Sequence, residues 1–299
     1  MVLPAGLGRR SIGHQNLAPL TFAPMNLHSL RKETEHLPDT PKMPVLFIGH
    51  GSPMNGIEDN LYTRGWEEAT KNIPTPRAVV CISAHWLTQG TFVTAMENPR
   101  TIHDFGGFPQ ALYQVQYPAP GDPKIAAEIT KKGLFAEIAP DHEWGLDHGT
   151  WTVVRHLFPK ANIPVLQVSI DYHQSGEFHY RLAQDLASLR KKGILFIGSG
   201  NMVHNLRMVD FSRLNQPGFG FDWAVEMNEV FKEKIGSGDH RSLMDYHRLN
   251  KAAVLAIPTP DHYWPLIYSL GLTDPGEVPV LFNDLLVGGS LTMTSVRFG

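Results

Sequence analysis

The chain of 299 residues has a single cysteine, Cys81. That excludes an intramolecular disulfide framework and a cysteine-built zinc site. A reducing compartment such as the cytoplasm is the expected location. No apolar run of about 18 residues occurs, so no transmembrane helix is expected. An excess of basic charge is also missing: 26 Lys and Arg stand against 29 Asp and Glu, a net charge of −3. No broad cationic surface for nucleic acid or membrane follows from that balance. Local signatures are absent too. There is no HExxH and no CxxC, and Gly198-Ser199-Gly200 has neither the third glycine of a dinucleotide fingerprint nor the lysine of a P-loop. Charged residues make up only 18% against 42% apolar, which is enough to bury a core and argues against disorder.

What is abundant is histidine, with 15 residues. Histidine supplies metal ligands and proton carriers near neutral pH, so the placement of these residues organises the rest of the reading.

Residues 1–42 hold five prolines, little periodicity and no acid before Glu33. They read as a flexible N-terminal extension, with Met43 opening directly onto an apolar strand. Residues 43–299 read as one catalytic domain. Within it, Val45–Ile48, Ala78–Ile82, Val165–Ile170 and Ile194–Ile197 are short apolar runs without polar alternation, the pattern of parallel strands covered on both faces. Between them, residues 122–132 begin Asp122-Pro123 and stop at Gly133. Residues 177–192 end in Arg190-Lys191-Lys192 before Gly193. The first carries both a helix start and a stop signal, the second a stop signal with basic residues in its last turn. The alternation implies an α/β fold, a single domain with a central, mostly parallel sheet flanked by helices. Residues 99–122, rich in Pro, Gly and aromatics, read as a long ordered loop that could wall a pocket.

Four histidines fall at comparable places. His50, His85 and His204 follow strands, and His262 follows Thr259-Pro260, where a helix starting at Pro260 would put it in the first turn. Ligands of open α/β sheets bind beyond the carboxyl ends of the strands, so four imidazoles distant in sequence can converge there on one divalent metal, Zn or Fe(II). His148 and His103, both in Gly-containing loops, are further candidates. His179, His240 and His247 read as surface residues. Phe105, Phe108, Trp86 and Trp264 are candidate pocket aromatics.

The segments GHGSPMN (49–55), EDNLYTRGW (58–66), SAHW (83–86), TIHDFGGFPQALY (101–113), HGTW (148–151), SGNMVHNL (199–206) and PTPDHYWPL (258–266) resemble the class III extradiol ring-cleavage dioxygenases. Within that LigB-like superfamily they are most similar to the 4,5-DOPA extradiol branch. The resemblance covers 43–299 and implies a metal-dependent enzyme that inserts O2 beside the diol of a catechol such as DOPA. It implies His50, His85 and His262 as metal ligands, the last where protocatechuate-cleaving relatives carry Glu. It implies His204 as the acid–base residue and a fourth member of the metal shell, and His148 as a further catalytic pocket histidine. His103 is the candidate substrate-binding residue. One divalent ion is expected, Fe(II) for turnover or Zn(II) as bound, with a small catechol and O2 as partners, no nucleic acid or membrane, and the oligomeric state open. A zinc hydrolase using a bound water on the same histidines and a non-enzymatic scaffold on the same fold are the alternatives.

Overall fold

The structure is a computed structural model and describes residues 37–299. The expected flexible extension falls, for residues 1–36, outside the described residues. Residues 39–299 form one compact unit. Its first residues are tied down: the Thr40 N–H donates to the Lys191 carbonyl (2.7 Å) and the Met43 N–H to the Arg190 carbonyl (3.0 Å).

Eight strands form the main sheet. They are β1 (Val45–Gly49), β2 (Ala78–Thr88), β3 (Thr91–Thr94), β4 (Ile138–Asp141), β5 (Val165–Asp171), β6 (Ile194–Gly200), β7 (Pro279–Phe282) and β8 (Ser295–Phe298), in the spatial order β4-β3-β5-β2-β6-β1-β8-β7. The four strands expected from apolar runs, β1, β2, β5 and β6, are its mutually parallel centre. The outer pairs β3–β5, β1–β8 and β8–β7 are antiparallel. The centre is buried on both faces, which is why its strands carry no polar alternation.

The longer helices are α1 (Leu61–Thr70), α2 (Pro123–Lys132), α3 (His148–Leu157), α4 (Gly176–Leu186), α5 (Asp222–Ser237) and α6 (Trp264–Gly271). Helices α4 and α6 pack together, with α6 against the central strands; α3, backed by α1, also packs against the sheet. In the core cluster that contains Trp66 and Trp151, Leu46, Ile48, Val79 and Cys81 of β1 and β2 meet α1 and α3. The start signal read from sequence for α2 works as expected. The Asp122 carboxylate accepts from the N–H groups of Lys124 and Ile125 at the head of α2. In the second segment, α4 starts at Ser175, changes to a tighter 3-10 turn over Ala187–Lys192, and stops at Gly193 in the left-handed region (φ 81°).

Two expectations need correction. His179 is fully buried, not on the surface, because α4 turns that face towards α6; its Nδ1 lies 3.2 Å from the Tyr268 hydroxyl. Burial lowers its pKa to about 4. Strand β2 runs to Thr88 rather than ending at Ile82, with a register shift between Ile82 and Leu87. Such a bulge re-aims side chains at the end of a strand, and His85 lies within it.

Arg190 locks the lower edge of the unit. It is buried, its Nε donates to the Met43 carbonyl (2.8 Å), and its guanidinium grips both Glu277 oxygens (2.8 and 2.7 Å). Burial alone would raise the Glu277 carboxyl, but Arg190 and Lys42 bring it down from 4.5 to about 2. A carboxylate held low adds stability that is fully present above its unfolded value and is lost as pH falls towards its folded one. Glu277→Ala is expected to cost about 3 kcal/mol, the lower end for breaking a buried pair, in urea unfolding at neutral pH. The wild-type advantage should fade between pH 4.5 and about 2; an equal midpoint for both proteins at neutral pH would refute the assignment.

Candidate metal centre

The parallel strands end where their glycines let other segments approach. A side chain at Gly200, the last residue of β6, would press on the His262 carbonyl at 2.2 Å, and one at Gly149, in the first turn of α3, on Ser83 Oγ at 2.5 Å and His85 Cδ2 at 2.8 Å. The Gly198-Ser199-Gly200 segment therefore serves close packing rather than a phosphate. His50 follows β1 and its N–H donates to the Gly200 carbonyl (3.1 Å). The His204 N–H donates to Ala256 (2.9 Å), and Asn201 N–H to the His262 carbonyl (2.9 Å). Helix α6 begins at Trp264, so His262 lies in the turn before it rather than within its first turn. The Pro260 carbonyl accepts from both Tyr263 and Trp264, so the proline starts a turn without fixing the helix boundary.

Five of the six candidate histidines meet. Ring centres of His50, His85 and His262 stand 5.1, 5.3 and 4.9 Å apart, pair by pair. Imidazoles sharing one ion through nitrogens about 2.0–2.1 Å from it, with ring centres roughly 1 Å farther out, stand about 4.5–5.2 Å apart. The triangle fits. His148 lies 3.9 Å from His85 and 5.8 Å from His50, and His204 stacks on His262 at 3.6 Å with planes 7° apart. By ligand-atom spacing, two metal-capable groups emerge, His50–His85–His148 and His204–Asp261–His262. His103 is outside the cluster: its Nε2 lies 3.0 Å from the Val115 carbonyl, and its ring contacts Phe105, Tyr113 and Trp151.

Hydrogen bonds decide which nitrogen is free in His50 and His262. The Ser199 hydroxyl donates to the Gly149 carbonyl (2.6 Å), so towards His50 Nδ1 (3.0 Å) it must accept. His50 is thus protonated on Nδ1 and bears its lone pair on Nε2. His262 Nδ1 donates to the Asp261 carboxylate (2.5 Å) with the same consequence. His85 Nδ1 faces Asp104 at 3.5 Å. The Nε2 atoms of His50 and His85 lie 3.2 Å apart; the lone pair of His50 Nε2 points at its neighbour, and a cation between the two would take a lone pair from each once His85 carries its proton on Nδ1. Burial, and then the neighbouring rings, hold His50 and His262 well below 6.5; burial takes His85 to about 3 and His204 to about 4. Neutral imidazoles are the form that binds metal.

The sequence reading did not single out the partners of these rings: Ser199, Asp261 and Asp104. Each is a short polar residue, two of them directly beside a histidine, and that adjacency was the available signal. Of the proposed pocket aromatics, Phe105 reaches His148 (5.5 Å) and Phe108 packs on Phe105 (5.4 Å). Trp86 instead stacks on Trp144 (5.7 Å), and Trp264 packs at a tilt against His179 (5.2 Å, planes 48° apart).

Residues 44–281 match the family model described as the catalytic LigB subunit of aromatic ring-opening dioxygenase. The chain is 45% identical over 262 residues to the 4,5-DOPA dioxygenase extradiol of Escherichia coli (strain K12), covering 86% of this chain and 95% of that protein. It is 32% identical over 269 residues to the 4,5-DOPA dioxygenase extradiol of Beta vulgaris, covering 85% and 96%. The crystal structure of an uncharacterized Escherichia coli K12 protein superposes with a TM-score of 0.75 at 39% identity, covering 86% of this chain and all of that one.

A cluster of neutral, buried histidines has a thermodynamic signature. Below 6.5 the unfolded chain takes up protons that the folded, metal-free site refuses, so stability falls as pH falls. Urea unfolding of the metal-free protein should therefore show a midpoint that drops between about pH 7 and about pH 5. A flat profile would contradict the neutral cluster.

Proposed function

We infer that this chain, which belongs to the LigB family of aromatic ring-opening dioxygenases and is an extradiol ring-cleavage enzyme, acts on a catechol of the DOPA type, opening its 4,5-bond to a semialdehyde acid. The observation that carries the reading is the convergence of the His50, His85 and His262 rings, with Nε2 left unprotonated in His50 and His262. Relatives named 4,5-DOPA dioxygenase extradiol, among them those of Escherichia coli (strain K12) and Beta vulgaris, support the substrate class. Nothing in the comparisons favours the hydrolase alternative.

The three imidazoles would hold one divalent ion. Bound as Fe(II), it would supply Lewis acidity and redox activity for the reaction of a catechol with O2; Zn(II) would fit the nitrogens but cannot exchange electrons. His204, first expected both as a metal-shell residue and as an acid–base residue, takes the second role. It lies face to face with a ligand ring, and burial keeps it neutral, with a ring nitrogen lone pair to accept a catechol proton. His148 stands on the other flank, against His85 and below Phe105, and serves as a second polar contact to the reacting oxygens. His103 holds the aromatic loop through Val115 and contributes to substrate binding by shaping that wall. The reading assigns the chemistry to residues 43–299 and none to residues 1–42. It places the enzyme in the cytoplasm, where Cys81 stays reduced, with a small catechol and O2 as its partners.

Anaerobic loading with Fe(II), followed by DOPA and air, should give oxygen uptake matched one to one by a yellow product. His262→Ala should lose both iron and uptake. His204→Ala should keep its iron while kcat falls about 10²–10⁴-fold, the usual contribution of a general acid–base group. Oxygen-independent turnover, or full turnover with zinc, would refute the reading.

A further inference from the structure

His148 opens helix α3 with its backbone N–H unpaired within the helix, and the aromatic loop answers it with one carboxylate. Asp104 Oδ1 accepts from the His148 N–H at 2.8 Å, and Asp104 Oδ2 accepts from His148 Nδ1 at 2.9 Å. The same Oδ2 lies 3.5 Å from His85 Nδ1, too long for a good hydrogen bond. Asp104 is partly buried, and bonds from His148 outweigh the effect of burial and keep its carboxyl below the usual range. The next residue, Phe105, packs its ring edge against His148. The buried Asp147, by contrast, only anchors the helix: it accepts from Ser83, Gln167 and the Thr150 N–H, and does not touch the His148 ring.

We propose that Asp104 is a positioning residue that fixes His148 in the Nδ1–H form, so that the unprotonated Nε2 faces the centre and the aromatic loop and the ring are set as one unit. The chemistry is that of a carboxylate orienting an imidazole through the nitrogen away from the reaction, in which exchange of the carboxylate for an amide gives the wrong tautomer. Two donors meet the two carboxylate oxygens, and only the pair of acceptors on Asp satisfies both. An Asn of the same shape has one acceptor. The backbone N–H of His148 can only donate and claims that oxygen. The amide NH2 then faces Nδ1, which must become the acceptor, and the ring proton moves to Nε2.

The inference rests on the catalytic placing of His148 argued above, and its test separates the two. Full-length, metal-free protein labelled with 15N in its histidine rings is examined by two-bond 1H–15N correlation at about pH 8, above the ordinary histidine value of about 6.5. His148→Asn identifies the signal. Expected is the Nδ1–H tautomer in the wild type, the Nε2–H tautomer in Asp104→Asn, and the wild-type tautomer in Asp104→Glu, which keeps both acceptors and guards against a misfolded variant. After anaerobic iron loading, Asp104→Asn should bind iron like the wild type while kcat on DOPA falls about 10–100-fold, the scale for loss of an orienting partner. The same tautomer in wild type and Asp104→Asn overturns the proposal. So does lost iron, which would show that Asp104 acts through His85. A reversed tautomer with kcat unchanged in both Asp104→Asn and His148→Asn upholds the orienting role and removes His148 from catalysis.

Discussion

The constraint that organises this protein is the crowding of neutral imidazoles, with ring nitrogens turned towards one another, inside a buried site. Nε2 of His50 and Nε2 of His85 face each other across 3.2 Å; the Nδ1 proton of His50 goes to Ser199, which leaves its Nε2 with a lone pair and no proton of its own. A neutral polar atom buried without a partner is costly. The fold accepts that cost in several rings at once and removes protonation as an escape, since burial pushes those rings' proton affinity down. A divalent cation resolves the conflict, so affinity for the ion and instability of the empty site have one physical origin.

Everything around the cluster serves to make that conflict unavoidable. Parallel strands β1, β6 and β2 lie side by side and deliver His50, Ser199 and His85 at one end of the sheet. Glycines at 149 and 200 let α3 and the turn before α6 come within contact distance of the strand ends. Ser199, Asp261 and Asp104 then settle which nitrogen of each partner ring is protonated. The uncharged three-imidazole set leaves all the negative charge to the neighbouring carboxylates, where relatives with a glutamate ligand would place it on the metal itself. A catechol that arrives to lose its protons brings the anionic oxygens the ion lacks, and His204 beside His262 stands ready to take a proton.

Much of this was legible in the sequence, and the reasons differ from element to element. The four central strands were readable because strands covered on both faces must be apolar throughout, and the start of α2 because Asp122 and Pro123 act through local hydrogen bonds and a fixed backbone angle, whereas the Ser175 cap of α4 went unread. His50, His85, His204 and His262 stood out because they sit beside Gly and Pro where strands end or a turn begins. What escaped depends on three-dimensional packing. His179 lies on a helix whose pattern says nothing of what α6 will cover, and β2 outruns its apolar run because the bulge, not hydropathy, carries the strand on past His85. The carboxylate of Asp104 finds His148 from 44 residues away, a pairing that no local spacing encodes.

The central claim is that His50, His85 and His262 share one ion. X-ray absorption at the iron edge of the anaerobically loaded protein tests it most directly, because imidazoles give a distinctive multiple-scattering pattern that counts them. The account predicts one iron per chain with three imidazoles in its coordination sphere. A sphere of oxygen ligands, or one with a single imidazole, would contradict it.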